Sequence, residues 1–431
     1  MIVHNRQAAD GLFREILLAF IHLVCYTVCI LKTFVFVRGT YAMKIGLLGF
    51  GTVGSGVEKI VSGCANLEIA KILDRDPAKM ADKRVTPRFE DIVEDKEIDC
   101  VVEAMGGIHP AREFILAALK AHKHVVTANK AVVAAHMDEF VKAAVDSGVK
   151  FMVEATSGGG IPWIKNLQRA ARIDEITHIH GIMNGTSNFI LYNMFKSGAD
   201  FSDVLAEAQK LGYAEADPSA DIDGDDVRNK CAISATVAFK GLVPVSLIPK
   251  VGIRSITKAD IDWCQSQGLV CKLFATAVCE GNNWCATVEP VLLKAGELEA
   301  AVPKNYNVTC LTGATIGDLK FYGQGAGSLP TGNAIVQDLL DIAADEAWPL
   351  TFDRELCHEP NLLKGKYLIR VSSRTAVAKA AFEPIAQRWE DDGPGRVLIY
   401  TKLVGAGDLH KAVAACRQYD NGMWIARFVE A

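Results

Sequence analysis

The segment EADPSADIDGDDVRNKCAI, residues 215–233, combines acids and a lysine in a pattern that suits several kinds of site. Six carboxylates surround Gly224, and Lys230 follows the last of them, Asp226, by four residues. An EF-hand register with Gly224 at the sixth position puts Lys230 at the twelfth, where a calcium loop needs a bidentate glutamate. A cation there excludes the calcium loop. Two interpretations remain: a solvated helix N-terminus with an ordinary salt bridge, or a catalytic cluster.

A second candidate site is the glycine-rich turn in MKIGLLGFGTVGSGVEKIV, which begins at Met43. The segment predicts a buried strand, a turn with the spacing GxGxxG, and an amphipathic helix. Gly49 suits the tight turn, Gly51 lets a pyrophosphate approach the backbone, and Gly54 allows the helix to pack closely on the strand. Because the helix N-terminus would face the phosphates, the turn predicts a dinucleotide-binding site.

The next predicted strand, LEIAKILD, ends in Asp74, and Arg75 follows it. An acid at this distance from the glycine turn binds a ribose hydroxyl of NAD, whereas an arginine binds the 2′-phosphate of NADP. Both residue types are present, so the choice between NADP and NAD stays open, with a modest preference for NADP. Each side chain could equally be a solvated residue of a surface turn.

Strands and helices continue to alternate after this point. IDCVVEAMGG, HVVTANK and VKFMVEATSGGGIP each predict a buried strand, and helical patterns separate them. The alternation predicts a parallel, doubly wound sheet that binds its ligands at the carboxyl ends of the strands. Lys130, in TANK, lies at such an end and is a candidate for contact with cofactor and substrate. The alternative is a surface lysine at the start of the next helix.

Composition and charge limit the class of protein. Half of the 431 residues are apolar, which suits an enzyme of roughly two to four domains. The net charge of −5 is dispersed, so small molecules are the expected ligands and no nucleic-acid partner is expected. The twelve cysteines form no CxxC pair, and His178 and His180 have no third ligand at a suitable spacing, so neither set predicts zinc. Scattered, reduced cysteines indicate the cytoplasm.

An apolar run near the N-terminus argues against that compartment. Residues 16–31 form an apolar run interrupted by His22, and Arg14 and Lys32 flank it, but no small-residue cleavage site follows. Met43 stands directly before the first predicted strand. We interpret residues 1–42 as an upstream extension from a start codon assigned too early, with a signal anchor as the alternative, so membrane contact is not expected.

Six segments, in order, resemble the successive motifs of homoserine dehydrogenase. They are GFGTVGSGV, VVTANKA, VEATSGGGIP, GIMNGTSNFIL, GYAEADPSADIDGDDVRNKCAI and GQGAGSLPTGNAIVQDL, between Met43 and Asp338. The resemblance implies NAD(P)H-dependent reduction of L-aspartate 4-semialdehyde to L-homoserine, on the route to threonine and methionine. There are two alternatives. A catalytically idle NAD(P)-binding sensor would keep the glycine turn but lose the site lysines, and an oxidoreductase of another amino-acid aldehyde would keep the lysines but change the acids that hold the ammonium. Neither loss is seen in this sequence.

The resemblance also implies roles for the acids and lysines. Lys230 matches the lysine that donates the proton, and Asp226 matches an acid that orients substrate and lysine. Glu215 matches the substrate-binding glutamate, and Asp221 is a second acceptor for the substrate ammonium. Lys130 matches a lysine with cofactor and substrate contacts. In this chemistry the cofactor supplies the hydride, and the protein supplies charge and a proton where oxygen becomes anionic.

Two further ligand sets follow from these motifs and from the resemblance. The expected cofactor contacts are Gly49, Phe50, Gly51, Thr52, Val53, Gly54, Arg75, Lys130, Gly325 and Gly327. A sodium ion would be held by main-chain oxygens of Glu154, Ser157, Gly159 and Ile161. The alternative for this second segment is a plain strand-to-helix turn, with Pro162 early in the helix.

The expected fold is α/β with three folded units. A Rossmann-type, doubly wound dinucleotide-binding domain spans residues 43–172 and is joined by 322–347. An α+β substrate and dimerisation domain spans 173–321, and the resemblance implies a homodimer. Residues 351–431 predict a βαβαβ pattern with a helix over TAVAKAAFEPIAQRW, similar to the small α+β ACT domain but one strand short and without its PGVL loop. Regulation by threonine and a role in packing alone both remain open.

Overall fold

The computed structural model describes residues 42–429. The extension predicted over residues 1–42 lies, except for its last residue, outside the described residues. Within residues 42–429, no helix has both the length and the apolar character that crossing a membrane requires. The described chain builds two sheets, each flanked by helices.

The strands of both sheets are numbered here in chain order. They are β1 (Met43–Leu48), β2 (Leu67–Leu73), β3 (Val85–Thr86), β4 (Cys100–Glu103), β5 (His124–Thr127), β6 (Phe151–Met152), β7 (Ile176–Ile182), β8 (Leu269–Glu280), β9 (Asn283–Lys294), β10 (Tyr306–Gly313), β11 (Gly317–Gln324), β12 (Cys357–His358), β13 (Lys364–Val371), β14 (Ala386–Asp391), β15 (Val397–Thr401), β16 (Val404–Gly405) and β17 (Trp424–Phe428).

The helices of the described residues are numbered in the same way. They are α1 (Thr52–Val61), α2 (Glu90–Val93), α3 (Ala111–Lys120), α4 (Lys130–Ser147), α5 (Trp163–Ala170), α6 (Gly185–Ser197), α7 (Phe201–Lys210), α8 (Ser219–Ile222), α9 (Asp225–Phe239), α10 (Lys258–Ser266), α11 (Ser328–Ala343), α12 (Ala376–Phe382) and α13 (Ala406–Arg417).

The first sheet is parallel and has the strand order β3-β2-β1-β4-β5-β6. Its central strands are short and almost wholly buried because helices cover both faces. The order reverses between β1 and β4, which is the switch point where such sheets bind ligands. Helix α11, more than 270 residues along the chain from α1, packs on this sheet's core. The predicted Rossmann-type fold is confirmed.

The second sheet has eleven strands. Its main path is β11-β10-β7-β8-β9-β17-β13-β15-β14, with β12 beside β9 and β16 beside β13. Strands β8 and β9 form a long antiparallel pair, and helices α6, α9 and α10 pack on β8. Through these contacts the sheet supports the helix that carries Asp226 and Lys230.

The C-terminal unit has a βαββαβ order, β13-α12-β14-β15-α13-β17, in which the four strands are antiparallel neighbours. The helix predicted over TAVAKAAFEPIAQRW is therefore wrong in its second half. It ends at Phe382, and residues 386–391 form β14 instead. The reason is Pro384, which has no N–H and disfavours helical backbone in the residue before it. The strand that the sequence pattern lacked is this one.

The strands of the C-terminal unit are joined to the rest of the second sheet by strand pairing and by buried ion pairs. Strand β17 pairs with β9 in parallel. Glu289 of β9 is fully buried and accepts hydrogen bonds from Arg427 at 2.8 Å, with His410 Nε2 at 3.0 Å. Asp260 of α10 is likewise buried and contacts the guanidinium of Arg370 at 3.0 Å. Charged contacts at two buried carboxylates therefore cross the boundary in addition to the backbone.

Candidate active site

The acidic segment forms two helices separated by one glycine. Gly224 follows α8 and has φ of +86°, a left-handed conformation that favours glycine, and α9 begins at the next residue. Helix α9 is buried along nearly its whole length and contacts α4 and α5. Trp163 Nε1 donates to Ser234 Oγ at 2.9 Å and ties α5 to α9. The interpretation of Asp226 and Lys230 as a solvated surface pair is therefore wrong.

Asp226 is the centre of a buried polar cluster. Its Oδ2 accepts hydrogen bonds from Lys230 Nζ at 2.7 Å and from Asn184 Nδ2 at 2.9 Å, and its Oδ1 lies 3.1 Å from Lys130 Nζ. The carboxylate is 5% exposed and the Lys230 side chain 9%, whereas the Lys130 side chain is 44% exposed. Lys230 Nζ also donates to the Met183 carbonyl at 2.8 Å. One carboxylate thus holds two lysines from different elements.

The charges in this cluster control one another. Burial alone would raise the pKa of Asp226, but the charges of Lys230 and Lys130 outweigh burial and hold that pKa well below its usual range. The charge of Asp226 in turn raises the pKa of Lys130 against the effect of burial. Both groups are therefore charged at neutral pH. The cluster presents ammonium groups, one of them partly open to solvent, beside a fixed negative charge.

The two acids expected to bind an ammonium lie in different surroundings. Asp221 Oδ1 accepts from Asn184 Nδ2 at 2.6 Å, and burial together with the neighbouring Asp226 charge raises the pKa of Asp221. Glu215 is exposed, and its charge contributes to the raised pKa of Lys130. Asp221 therefore belongs to the buried cluster, whereas Glu215 lies on the exposed segment before α8, within electrostatic reach of Lys130.

Lys130 is positioned by the first sheet. It is the first residue of α4, whose N-cap Asn129 accepts from the Val132 N–H at 3.3 Å. Glu103, fully buried at the end of β4, accepts from Thr127 Oγ1 at 2.6 Å and from the Met105 N–H at 2.9 Å. These contacts bind the ends of β4 and β5 to each other, so Lys130 is held at the carboxyl edge of the sheet.

The glycine turn lies on the same edge. Gly49 has φ of +93°, and a Cβ on Gly54 would lie 2.1 Å from the Gly49 carbonyl oxygen, so the tight turn and the close helix packing both require glycine. Among residues 42–429, chain neighbours aside, a Cβ on Gly51 would meet no atom within 4 Å. Gly51 precedes Thr52 and Val53 at the N-terminus of α1. The open space at this N-terminus suits an approaching phosphate.

Gly51→Ala is expected to raise the Kd for the dinucleotide about 10-fold or more, by obstructing the approach of the pyrophosphate. The melting temperature should stay unchanged, because φ of −86° suits alanine and the space is open. Gly54→Ala is the matched comparison and should lower the melting temperature. Titration of each folded variant with NADP checks both. Unchanged affinity in Gly51→Ala would put the pyrophosphate elsewhere.

Asp74 is engaged by a lysine that the sequence interpretation missed. Its Oδ2 lies 2.8 Å from Lys79 Nζ and 3.2 Å from the Phe50 N–H, and Lys79 Nζ also donates to the Phe50 carbonyl at 2.8 Å. Arg75 is exposed. The end of β2 therefore offers one neutralised acid and two cations beside the glycine turn. A lysine five residues after the acid was the available signal.

The segment of Gly325 and Gly327 meets both the glycine turn and the candidate sodium turn. Gly327 is the N-cap of α11, and Ser328 Oγ donates to the Thr52 carbonyl at 2.6 Å. A Cβ on Gly159 would lie 2.5 Å from the Gly325 carbonyl carbon. The structure therefore brings the predicted residues of three distant motifs together at one edge of the first sheet.

The predicted sodium turn is a 3₁₀ helix over Glu154–Thr156 followed by a loop. The Glu154 carboxylate accepts from the Lys165 N–H at 2.7 Å and thus caps α5. The carbonyl of Ile161 accepts from the Trp163 N–H at 2.7 Å, and that of Glu154 from the Ser157 N–H at 3.4 Å. Ser157 Oγ is buried without a hydrogen-bond partner among the described residues. Pro162 directly precedes α5.

Sequence reasoning did not assign two other groups to the cluster, the Asn184 side chain and the Met183 carbonyl. Asn184 caps α6 through its side-chain oxygen and uses its Nδ2 for Asp221 and Asp226. Its motif was visible in the sequence, but its double contact with the acids was not. The Met183 carbonyl that accepts from Lys230 is a backbone group, for which residue type gives no signal.

Comparison with known proteins adds independent findings. The family model described as homoserine dehydrogenase matches residues 162–340, and that described as homoserine dehydrogenase, NAD binding domain, matches residues 49–154. A homoserine dehydrogenase from Synechocystis sp. is 42% identical over 318 residues, 70% of this chain and 73% of that protein. One from Corynebacterium glutamicum is 40% identical over 325 residues, 71% and 73% of the two chains. The crystal structure of a homoserine dehydrogenase from Thiobacillus denitrificans has a TM-score of 0.80 at 32% identity and covers 90% of this chain and 98% of that one.

Proposed function

We infer the function from the family, because the chain belongs to the homoserine dehydrogenase family of NAD(P)-dependent oxidoreductases that act on CH–OH groups. We propose that it interconverts L-aspartate 4-semialdehyde and L-homoserine for threonine and methionine biosynthesis. The observation that carries the proposal is the buried Asp226 carboxylate with Lys230 at 2.7 Å and Lys130 at 3.1 Å. This cluster combines a proton donor and a positive field, which reduction of a carbonyl needs.

In the proposed mechanism the turn of Gly49, Gly51 and Gly54 would hold a dinucleotide, whose nicotinamide would supply the hydride for the aldehyde carbon. The Lys230 ammonium faces the carbonyl oxygen, stabilises the negative charge that develops there and donates the proton that completes the alcohol. Asp226 orients Lys230 through the 2.7 Å hydrogen bond, and its charge raises the pKa of Lys130. Lys130, with its partly exposed side chain, contacts both cofactor and substrate from the edge of the first sheet.

The substrate ammonium is assigned to Glu215 and Asp221. Asp221 is held by Asn184 beside Asp226, and Glu215 lies on the exposed segment before α8. A site built to pair a charged group discriminates strongly against a substrate that lacks it, because its own polar groups are left unpaired. The proposed function therefore includes selection for an amino-acid aldehyde.

The expected result with succinate semialdehyde, which lacks the ammonium, is a kcat/KM about 10²-fold or more below that for L-aspartate 4-semialdehyde. Both are assayed by the consumption of NADPH under the same conditions. Glu215→Gln should reduce this ratio, since it weakens recognition of the ammonium alone. Equal kcat/KM for the two aldehydes would favour an oxidoreductase with a different substrate.

NADP is the proposed preferred cofactor. Asp74, the acid that would bind the ribose hydroxyls of NAD, is paired with Lys79 at 2.8 Å, and Arg75 is exposed beside it. Lys79 and Arg75 together supply the positive charge that a 2′-phosphate requires. NAD remains the alternative cofactor, because Asp74 is still present at the end of β2.

Lys79→Ala is expected to shift the ratio of kcat/KM for NADP over NAD by about 10-fold or more toward NAD. The substitution removes a cation near the 2′-phosphate and leaves the negative charge of Asp74 unpaired, and a charge-assisted hydrogen bond contributes about 1.5–3 kcal/mol. The exposed Lys83, four residues on, gives the matched control, Lys83→Ala, which should leave the ratio unchanged. A shift of the same size in both variants would contradict a specific role of Lys79.

A sodium ion is proposed at the main-chain oxygens of Glu154, Ser157, Gly159 and Ile161. The turn suits such an ion: Gly158 and Gly159 have φ of +88° and +58°, and the Ser157 hydroxyl is buried without a partner among the described residues. Each carbonyl has a second lone pair beside its backbone hydrogen bond. The ion would hold this turn against Gly325.

Dimerisation is proposed for the unit built on β7–β11. Tyr322, on the outer face of β11, is exposed and stacks on Tyr306 with ring centroids 5.2 Å apart. An aromatic pair with one exposed ring suits a contact with a second copy of the chain. Sedimentation at several protein concentrations measures the oligomeric state.

A further inference from the structure

A group of metal-binding side chains lies on the second sheet, outside the proposed active site. His180 of β7 and Cys310 of β10 are directly opposite each other in the antiparallel register, and Glu299 comes from the segment between β9 and β10. One donor atom of each residue lies within 4.8 Å of the others. The sequence showed no third ligand for the histidines at a suitable spacing along the chain, whereas the fold brings two further donors to His180 from distant segments.

The two donor distances from Glu299 match the spacing of ligand atoms in a tetrahedral site. His180 Nε2 lies 3.3 Å from Glu299 Oε1, and Cys310 Sγ lies 3.4 Å from the same oxygen. Zinc bonds of about 2.0–2.3 Å at tetrahedral angles separate neighbouring ligand atoms by about 3.3–3.8 Å. Cys310 and Glu299 are buried, and His180 is partly exposed, so solvent reaches the cluster from one side.

In the structure the positive charge beside Glu299 comes from Lys320. Its Nζ lies 2.6 Å from Glu299 Oε1, the oxygen that also contacts His180 and Cys310. Three donors thus share one carboxylate oxygen. The Lys320 side chain is 36% exposed, so it can move into solvent when a divalent ion takes its place. Lys320 and a metal ion would compete for the same oxygen of Glu299.

We propose that His180, Glu299 and Cys310 form a binding site for a divalent ion of the zinc class, with Lys320 displaced and a water molecule as fourth ligand. Thiolate, imidazole and carboxylate together favour zinc or cobalt over magnesium or calcium. Binding releases the Cys310 thiol proton to solvent, so the affinity rises with pH.

The ion would fasten the segment that carries Glu299 to the sheet. The Lys304 carbonyl of this segment accepts from Asn188 Nδ2 at 2.8 Å, and Val302 accepts from Lys272 Nζ at 2.8 Å. Asn188 belongs to α6, whose N-cap is Asn184 in the active-site cluster. Helix α6 thus connects the segment of Glu299 to Asp221 and Asp226. An ion at Glu299 is expected to raise the melting temperature.

Titration of the purified full-length protein with Co²⁺, followed by absorption spectroscopy, tests the proposal. The expected result is one Co²⁺ per chain with a thiolate-to-cobalt charge-transfer band, which Zn²⁺ abolishes by displacement. Cys310→Ser should remove the band, and His180→Gln should weaken Co²⁺ binding about 10²-fold. Cys271→Ser and His178→Gln are the matched controls, since both residues lie on the same sheet but outside the group, and they should bind as the wild type does.

Lys320→Gln keeps the test independent of any loss of folding. Removing the competing cation should tighten Co²⁺ binding about 10-fold and preserve the charge-transfer band. The proposal is overturned if the wild type gives no charge-transfer band, if Cys310→Ser retains it, or if Lys320→Gln binds no more tightly than the wild type. A folded Cys310→Ser protein, verified by circular dichroism, makes the second outcome decisive.

Discussion

Lys230→Ala is expected to lower kcat for the aldehyde reduction by about 10²-fold or more, the range of a positioned general acid. The ammonium of Lys230 is held in place by hydrogen bonds to Asp226 at 2.7 Å and to the Met183 carbonyl at 2.8 Å. Alanine has no ammonium group to put in this place. The Kd for the dinucleotide should change little, because Lys230 lies on α9 and not at the glycine turn. Steady-state kinetics and a separate binding titration measure the two effects.

Arg228→Ala is the matched control for this variant. Arg228 lies on the same helix but is only partly buried and pairs with Asp225 at 2.9 Å, away from Asp226. Its removal should leave kcat within about 3-fold of the wild type, as expected for a surface pair. A Lys230→Ala enzyme with near-normal kcat would remove the assignment of Lys230 as the proton donor.

Asp226→Asn is expected to lower kcat by about 10²-fold or more and to destabilise the fold by about 3–5 kcal/mol, the cost of breaking a buried ion pair by removing one partner. The variant leaves Lys230 buried without its counter-charge. Because the pKa of Asp226 is lowered in the folded state, its stabilising contribution is fully present above the ordinary aspartate pKa. The loss should thus be largest at neutral pH and shrink as the pH falls below about 4.

The pH profile separates an electrostatic role of Asp226 from a purely structural one. The Asp226 charge raises the pKa of Lys130, which contacts cofactor and substrate in the proposed mechanism. Asp226→Asn should therefore move the part of the basic limb of the kcat profile that reports the loss of the Lys130 charge to lower pH. Asp225→Asn is the control, because Asp225 pairs with Arg228 and Lys250 outside the cluster. It should change neither the limb nor kcat appreciably. An unshifted basic limb in Asp226→Asn would leave Asp226 with a packing role alone.

The sequence was sufficient for the features that depend on local pattern. The GxGxxG spacing and the buried strands predicted the first sheet, and Gly49 has the positive φ that its turn requires. For the acidic segment, a helix N-terminus was part of one of the two interpretations left open, and a helix does begin there, at Asp225. The resemblance to a family supplied the roles of Asp226 and Lys230, which their spacing alone left open between a surface pair and a catalytic cluster.

Long-range contacts set the limit of that reasoning. Burial distinguishes a catalytic pair from a surface pair, and Asp226 is buried because α9 packs against α4, α5 and the second sheet. The grouping of His180 with Cys310 depends on strand register. The ion pair of Lys79 with Asp74, by contrast, is only five residues apart along the chain and was overlooked. In the C-terminal unit the helical pattern was followed through Pro384, although proline ends a helix for a local reason that the sequence already contained.

The proposed function is tested by oxidation of L-homoserine by the purified protein, followed by the absorbance of the reduced nicotinamide with NADP and NAD in parallel. We expect turnover with NADP, slower turnover with NAD, and loss of both in Lys230→Ala. Absence of turnover in a protein that binds the dinucleotide would contradict the proposed function. That result would leave a nucleotide-binding protein or an oxidoreductase of a different aldehyde.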